Sequence, residues 1–267
     1  MTAYKDASCG LTSRLALSRL RLVNSFAFAF VYPQSAILLR RQADNILKTF
    51  YLSQRYCRNI YCAEHIYYGM QNYYLDDTVK VGDNVTIEPF AVVLGNTVLR
   101  DGCTVGSFSY LLNADVGENA VVNSSRIVNG KVGANSTVGP YAHLRDGAVV
   151  GENCRVGNFV EIKKSDLHNG VKASHLAYIG DAEVGEKTNV GCGVIFVNYD
   201  GKTKHKTKVG KNCFIGCNSN LVAPVNIGED CFIACDTTVT NDVPQGAFVV
   251  GRSKMIVKEN AAEKYLK

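Results

Sequence analysis

The sequence predicts an all-β fold in which most of the chain forms a parallel β-helix. The first observation is a six-residue period. An aliphatic residue, often followed by glycine, recurs at every sixth position. Six matches neither the period of an α-helix nor that of a simple strand, and a short internal repeat is typical of a solenoid. The residues on this step are Val132, Val138, Leu144, Val150, Val156 and Ile162 and, after an interruption, Val209, Ile215, Leu221, Ile227, Ile233 and Val239.

The second observation is a small or β-branched residue four positions after each aliphatic one. With two inward positions per hexad, one hexad forms one flat side, and three hexads, or eighteen residues, close a triangular coil. Glycine after the aliphatic residue lets the chain bend at a corner. Hexapeptide repeats wind left-handed, against the usual crossover rule, so we predict a left-handed parallel β-helix. The small residues are Ser136, Ala142, Ala148, Cys154 and Val160, then Cys213, Ser219, Val225, Cys231 and Thr237.

The repeat divides the chain into three predicted segments. Residues 1–74 form an atypical, partly helical N-terminal leader without the hexad, with a helix at residues 42–54. Residues 75–250 form the β-helix, and residues 251–267 form a C-terminal arm. The apolar run from Ser25 to Tyr32 resembles a signal peptide, but it is interrupted and too short to span a membrane. Slips in the count near Leu112 and before Val132 are interpreted as loops or bulges at corners.

Composition restricts the class of partner. The chain is 46% hydrophobic and 20% charged, which is ordinary for a soluble protein, and its net charge is +5. That charge is too small and too evenly spread for a nucleic-acid-binding surface, and it suits a small anionic molecule better. We therefore expect neither a nucleic-acid partner nor a membrane.

The ten cysteines raise the question of a metal site, because Cys213 and Cys217 recur as Cys231 and Cys235 eighteen residues later. A stacked zinc site is one interpretation of that spacing. The other, which we favour, is that Cys213, Cys231 and two further cysteines fill the small interior position as compact hydrophobic residues. We therefore predict no metal site, and thiols so placed suggest a reducing cytoplasm.

Polar and charged residues gather in and around the interruption of the hexad. The segments are VGPYAHLRDG (138–147), VGNFVEIKKS (156–165), SHLAYIGDAEVGEKTNVGCG (174–193), VNYDGKTKHKT (197–207) and NLVAPV (220–225). Together they resemble the acetyltransferase half of the bacterial bifunctional GlmU family, from about residue 138 to residue 252. This likeness is much more specific than the hexad, which many acyltransferases share.

The resemblance implies transfer of an acetyl group from acetyl-CoA to the amine of glucosamine 1-phosphate. The product, N-acetylglucosamine 1-phosphate, serves the synthesis of UDP-N-acetylglucosamine and of peptidoglycan for the cell wall. Acetyl-CoA is then a co-substrate, and no bound cofactor is expected. His175 matches the catalytic histidine of the family, and an imidazole can accept the proton of the amine near neutral pH.

The resemblance also implies the binding residues. Arg145 and Lys163 match the phosphosugar-binding cations, which offer a planar fork and a point charge to phosphate. Lys204 matches a lysine that in this family reaches a neighbouring subunit's site. The other sugar contacts are expected at Tyr178, Asn189 and Glu161, and the acetyl-CoA contacts at Cys192, Asn198, Tyr199, Cys217, Cys235 and Arg252. The three cysteines replace alanine or serine, so one serine hydroxyl contact is in doubt at Cys217.

The resemblance also implies an oligomeric state and the absence of a second activity. We expect a homotrimer with active sites at subunit interfaces. Full-length members carry an N-terminal uridylyltransferase domain with a glycine-rich nucleotide loop, which residues 1–74 lack, so uridylyl transfer is not expected. Two alternatives remain: another hexapeptide-repeat acetyltransferase acting on serine or a different sugar, and a catalytically silent scaffold subunit of the same fold.

Overall fold

The computed structural model of the protein describes residues 72–266. The predicted helix at residues 42–54 and the rest of the leader up to residue 71 lie outside this range. Within it, 29 strands of two to four residues form three parallel sheets, and a short 3-10 helix spans Ala262–Lys264. The described part of the chain contains no helix with the length and hydropathy of a membrane span.

Every third strand belongs to the same sheet, so each coil contributes one strand to each side of a triangular prism. The first sheet consists of β1 (Tyr74–Leu75), β4 (Val92–Leu94), β7 (Tyr110–Leu112), β10 (Arg126–Val128), β13 (His143–Arg145), β16 (Glu161–Lys163), β19 (Tyr178–Gly180), β22 (Ile195–Val197), β25 (Asn220–Val222) and β28 (Thr238–Val239).

The second sheet consists of β2 (Lys80–Val81), β5 (Val98–Leu99), β8 (Asp115–Val116), β11 (Lys131–Val132), β14 (Val149–Val150), β17 (Asp166–Leu167), β20 (Ala182–Val184), β23 (Thr207–Val209) and β26 (Val225–Ile227). The third sheet consists of β3 (Thr86–Ile87), β6 (Thr104–Val105), β9 (Val121–Val122), β12 (Thr137–Val138), β15 (Arg155–Asn158), β18 (Lys172–His175), β21 (Asn189–Val190), β24 (Phe214–Ile215), β27 (Phe232–Ile233) and β29 (Phe248–Val249).

The predicted register is confirmed by the strand pairs. Ile215 pairs with Ile233, and Val209 pairs with Ile227, each eighteen residues later and in the next coil. The periodic aliphatic residues are buried in one continuous core, and so are the cysteines at the small position. The all-β class and the left-handed parallel β-helix that the hexad predicts are therefore confirmed.

Hydroxyl groups at the small interior position form hydrogen bonds with the backbone. The Ser136 hydroxyl donates to the carbonyl of Gly151 at 2.7 Å and accepts from the amide of Cys154 at 2.8 Å. It thereby satisfies backbone groups at a corner, where the ladder of strand hydrogen bonds is interrupted. This explains why serine and threonine can share this position with alanine and cysteine.

The breaks in the period have two causes. In the early coils the interpretation as loops or bulges is wrong, since the corners are shortened: Val116 pairs with Val132, only sixteen residues later. The later interruption begins with shortened coils, since Ile162 pairs with Ile179 seventeen residues later, and continues with an insertion, because Val184 pairs with Val209, 25 residues later. The inserted residues form the loop at 198–206, which leaves the prism near the residues singled out above.

Candidate active site

Three strands of the first sheet place the predicted phosphosugar residues in one column. β13, β16 and β19 are consecutive, so Arg145 lies beside Lys163, and Glu161 lies beside Tyr178. Neighbouring strands are about 4.8 Å apart, which brings these side chains within direct contact. Arg145 uses this proximity: its Nε lies 2.8 Å from Glu161 Oε1, and its Nη1 lies 2.7 Å from Asp146 Oδ2.

Asp181 connects the column to the inserted loop. Lys163 Nζ lies 2.9 Å from Asp181 Oδ2, and the two side chains are only 8% and 16% exposed. Asn198 Nδ2 donates to the same oxygen and lies 3.4 Å from the Tyr178 hydroxyl. Burial alone would lower the pKa of Lys163, but the hydrogen bond and charge of Asp181 outweigh it and raise that pKa above its ordinary value.

The pKa of the Asp181 carboxyl is lowered, which also favours the charged form of the pair. Its burial would raise the pKa, yet hydrogen bonds from Lys163 and Asn198 hold the pKa below the usual range. Both partners therefore remain charged near neutral pH. A buried pair of this kind holds its groups in fixed positions, and breaking it by removing one partner leaves an uncompensated charge.

Lys204 adds a further cation from the loop. Tyr199 and Lys204 form an antiparallel bridge, so the loop folds back and its lysine lies beside Lys163 of the same chain. The neighbouring Lys163 lowers the pKa of Lys204, and the charge of Arg145 acts in the same direction. Among residues 72–266 Lys204 has no ion-pair partner within 4.0 Å. An anion bound here would therefore be attracted by a cation whose charge is not neutralised by a bonded carboxylate.

His175 ends β18 at the corner that leads to β19. Its Nδ1 lies 2.7 Å from Oδ1 of Asn158, which occupies the same register position one coil earlier. An amide oxygen only accepts hydrogen bonds, so this contact assigns the proton to Nδ1 and leaves Nε2 with a free lone pair. The side chain is exposed. The geometry thus fits a general base that faces solvent or a bound molecule.

The corner after His175 has an unusual backbone. Leu176 has φ +46° and is 55% exposed, and Phe159, one coil earlier, has φ +57°. Bulky residues rarely adopt left-handed backbone angles, which cost on the order of 1 kcal/mol each. Because the neighbouring coils turn at the same place, the corner is held in this conformation, and the orientation of His175 is fixed with it.

The three cysteines predicted to contact acetyl-CoA continue the line that begins at His175. Register pairing places them in successive coils, and their backbones are bonded: the amide of Asn218 donates to the Cys192 carbonyl, and the amide of Asp236 donates to the Cys217 carbonyl, both at 2.8 Å. At the far end Arg252 Nη1 donates to the Cys235 carbonyl at 2.8 Å. We call the line His175, Cys192, Cys217, Cys235 the donor column.

Two predicted residues lie apart from these groups. Asn189 begins β21 on the third sheet, in register with Lys172 and Phe214, and joins neither the Asp181 cluster nor the donor column. Tyr199 is exposed in the loop, and its hydroxyl donates to the Gly201 carbonyl. Asn198 was expected on the acetyl-CoA side, but the structure places its amide with Asp181 and Tyr178.

Sequence reasoning missed two residues that organise the site, Asn158 and Asp181. Asn158 stands in the VGNFVEIKKS segment seventeen residues before His175, close to one coil. Asp181 stands eighteen residues after Lys163, one residue beyond Gly180, the register partner of Lys163 in the next coil. A search for polar residues one coil away from each candidate would have found both.

The stacked cysteine pairs do not converge on a common point. Cys213 and Cys231 are buried in the core, whereas Cys217 and Cys235 are exposed on the outside of the same coils. Within residues 72–266 no three histidine, cysteine or acidic side chains are grouped so that they could hold a metal ion.

Comparison with known proteins shows which families this chain resembles. The profile described as "Bacterial transferase hexapeptide (six repeats)" matches residues 78–113, 129–164 and 206–241. The chain is 46% identical over 191 residues to the "Bifunctional protein GlmU" of Clostridium botulinum strain Langeland, covering 72% of this chain and 42% of that protein. It is 47% identical over 191 residues to the GlmU of Clostridioides difficile strain 630, with the same coverage.

A solved Arabidopsis UDP-N-acetylglucosamine acyltransferase superposes with a TM-score of 0.48 at 18% identity, covering 68% of this chain and 70% of that one. The chain spans about two-fifths of the length of the curated relatives that it matches, in the region of their acetyltransferase half. This hexapeptide-repeat chain is therefore a relative of the acetyltransferase half of GlmU.

Proposed function

We propose that this protein transfers an acetyl group from acetyl-CoA to the amine of glucosamine 1-phosphate. The observation that carries the proposal is the position of His175, whose free Nε2 stands at the head of the donor column, while the cluster of cations lies just beyond the next corner. A base, a donor groove and an anion site are the three parts that this reaction needs. The choice of substrates is supported by the resemblance to the GlmU family, whose name the curated relatives carry.

The proposed chemistry begins at the amine. His175 Nε2 takes a proton from the ammonium of the sugar, and the neutral amine attacks the thioester carbonyl of acetyl-CoA. The tetrahedral intermediate loses the extra proton on its nitrogen to water and expels the CoA sulfur as a thiolate, which takes up the proton from the imidazolium. Asn158 accepts a hydrogen bond from Nδ1 throughout, so it holds the imidazole in the tautomer that the first step requires.

We assign the phosphate of the acceptor sugar to three cations: Arg145 and Lys163 of the first sheet, and Lys204 of the inserted loop. Lys204 is exposed, Arg145 is half-buried and bonded to Glu161 and Asp146, and Lys163 is held by Asp181 beside Lys204. A phosphate near Lys204 supplies the counter-charge that this lysine lacks. Glu161, held by Arg145, is the carboxylate that we assign to the neighbourhood of the amine.

The donor column fits the length of acetyl-CoA. From His175 to the coil of Arg252 the column climbs four strand spacings, about 19 Å. A pantetheine arm has the backbone length of about four extended residues, ~14 Å, and the pyrophosphate lies beyond it. With the thioester at His175, the phosphates therefore reach Arg252, the proposed CoA anchor, after passing Cys192, Cys217 and Cys235. Asn198 and Tyr199 remain the proposed contacts of the acetyl end.

The proposed assembly is a homotrimer in the cytoplasm. His175 is exposed and Arg145 and Glu161 are half-buried on the single chain, and Asn189 lies on a different sheet from the other sugar contacts. A second copy packed against this corner covers the site and brings a further sheet to it. Exclusion of water strengthens the charge interactions that the reaction uses.

The test is a thiol-release assay with acetyl-CoA and glucosamine 1-phosphate, with product identity checked by mass spectrometry. We expect turnover that depends on both substrates. Glucosamine without phosphate is the matched control and should react poorly, while serine tests the alternative acetyltransferase. If no acceptor supports CoA release, the scaffold alternative stands and the proposal fails.

A further inference from the structure

Two exposed thiols face outward in consecutive coils of the donor column. Cys217 and Cys235 are both exposed, and the amide after Cys235 donates to the Cys217 carbonyl at 2.8 Å. Because their strands are in register, their Cα atoms lie about one strand spacing apart, ~4.8 Å. Disulfides form across Cα separations of about 4.4 to 6.8 Å. The Cα separation therefore falls within the disulfide range, and the bond forms when the two Cβ atoms approach to about 3.5 to 4.5 Å.

The same two coils contain a second pair that differs in exposure. Cys213 and Cys231 also lie in adjacent coils, but they are buried, and their sulfurs lie 3.1 Å from the carbonyls of Gly228 and Pro244. Burial raises the pKa of the Cys213 thiol. Since the thiolate is the attacking species and must also be reached by an oxidant, the inner pair is protected. The chain thus provides its own control for the outer pair.

Cys235 is also connected to the proposed CoA anchor. Arg252 Nη1 lies 3.1 Å from Cys235 Sγ as well as 2.8 Å from its carbonyl oxygen. A bond between Cys235 and Cys217 draws the sulfur toward the neighbouring coil and away from the guanidinium. It also places a covalent bridge on the surface along which the pantetheine arm is proposed to lie.

We propose that Cys217 and Cys235 are a thiol–disulfide modification site whose oxidation closes the donor column. The effect on acetyl-CoA rests on the proposed function, whereas the formation of the bond does not. The oxidant is a small disulfide of the glutathione type. One cysteine thiolate attacks it and releases one small thiol, and the second thiolate then attacks the protein sulfur of the mixed disulfide and releases the other. Two protein thiols are oxidised, and one small disulfide is reduced to two thiols.

The experiment treats the full chain with oxidised glutathione and maps cross-links by mass spectrometry of the unreduced digest. Acetyl-CoA binding is measured by calorimetry before and after oxidation. We expect a Cys217–Cys235 cross-link and a loss of affinity of about tenfold to a hundredfold, the value of one hydrogen bond to a charged group, restored by dithiothreitol.

Three variants assign the effect to the outer pair. Cys217→Ser and Cys235→Ser should each abolish the cross-link, and the affinity of each variant should be the same before and after oxidation. The control double variant Cys213→Ser/Cys231→Ser, with the same spacing but inward side chains, should keep both the cross-link and the response.

Two results overturn the proposal: no Cys217–Cys235 cross-link in oxidised protein, or a complete cross-link with unchanged acetyl-CoA affinity. A reduced chain that binds no acetyl-CoA overturns the proposed function and the closure of the column together. In that case the cross-link still decides whether the two thiols form a modification site.

Discussion

The contact between His175 and Asn158 allows the proposed base to be tested in two steps. His175→Ala removes the base and should lower kcat for acetyl transfer by about 10² to 10⁴. The KM for acetyl-CoA should change little, because a base contributes mainly in the transition state. Since His175 is exposed, the fold should be unaffected. Lys172→Ala, an exposed position on the same strand, is the matched control and should keep normal turnover.

The second step changes the partner and leaves the base in place. Asn158→Ala removes one hydrogen bond of 2.7 Å to Nδ1, worth about 0.5 to 1.5 kcal/mol, so kcat should fall only about 2- to 13-fold. Asn158→Asp keeps an acceptor but adds a negative charge, which favours the imidazolium form. Because the base must be unprotonated, the acidic limb of the pH–rate profile should move to higher pH.

The assay is CoA thiol release followed from about pH 5 to 9, a range that includes the ordinary histidine ionisation. Wild-type turnover by His175→Ala at neutral pH would refute the reasoning. So would an Asn158→Asp profile with the acidic limb unmoved, because the side chain at position 158 would then have no influence on the protonation of the imidazole.

Four further outcomes follow from the site and the assembly. Arg145→Ala should raise the KM for the phosphosugar more than it lowers kcat, measured by initial rates. Asp181→Asn leaves Lys163 buried without its counter-ion and should destabilise the chain by about 3 kcal/mol, or about 6 to 12 °C in a thermal melt followed by circular dichroism. The lowered pKa of Asp181 means that the stabilisation is present above the unfolded pKa, about 3.9, and is lost as pH falls below it, so only the wild type should lose this share of its stability in acid. Light scattering should give three times the chain mass, and a monomer at working concentration would contradict the trimer. Incubation with UTP, magnesium and N-acetylglucosamine 1-phosphate should release no pyrophosphate.

The fold could be derived from the sequence because it repeats. Each hexad carries the same two inward positions, so the side on which a residue lies depends only on its place in the count. The stacking of Ile215 on Ile233 could therefore be predicted from the sequence, and the structure pairs these two residues. The alignment of Cys217 with Cys235 follows from the same count, whereas Cys192 precedes Cys217 by 25 residues and is aligned with it by the pairing of Val190 with Ile215.

The contacts between coils were decided by the tertiary structure. The count does not show how many residues a corner omits, and the shortened coils before Val132 move every later residue relative to the earlier ones. It also does not show where the inserted loop folds, so the approach of Lys204 to Lys163 and of Asn198 to Asp181 could not be read from spacing.

The same distinction holds within the site. His175, Arg145 and Lys163 were predicted from the sequence, because the segments around them resemble those of the GlmU family. Asp181 and Asn158 act through hydrogen bonds to those residues from the next coil or the previous one. The sequence by itself determined the repeat, the register and the principal candidates, whereas the structure decided which side chains meet, because hydrogen bonds depend on distances of a few tenths of an ångström that a six-residue period does not encode.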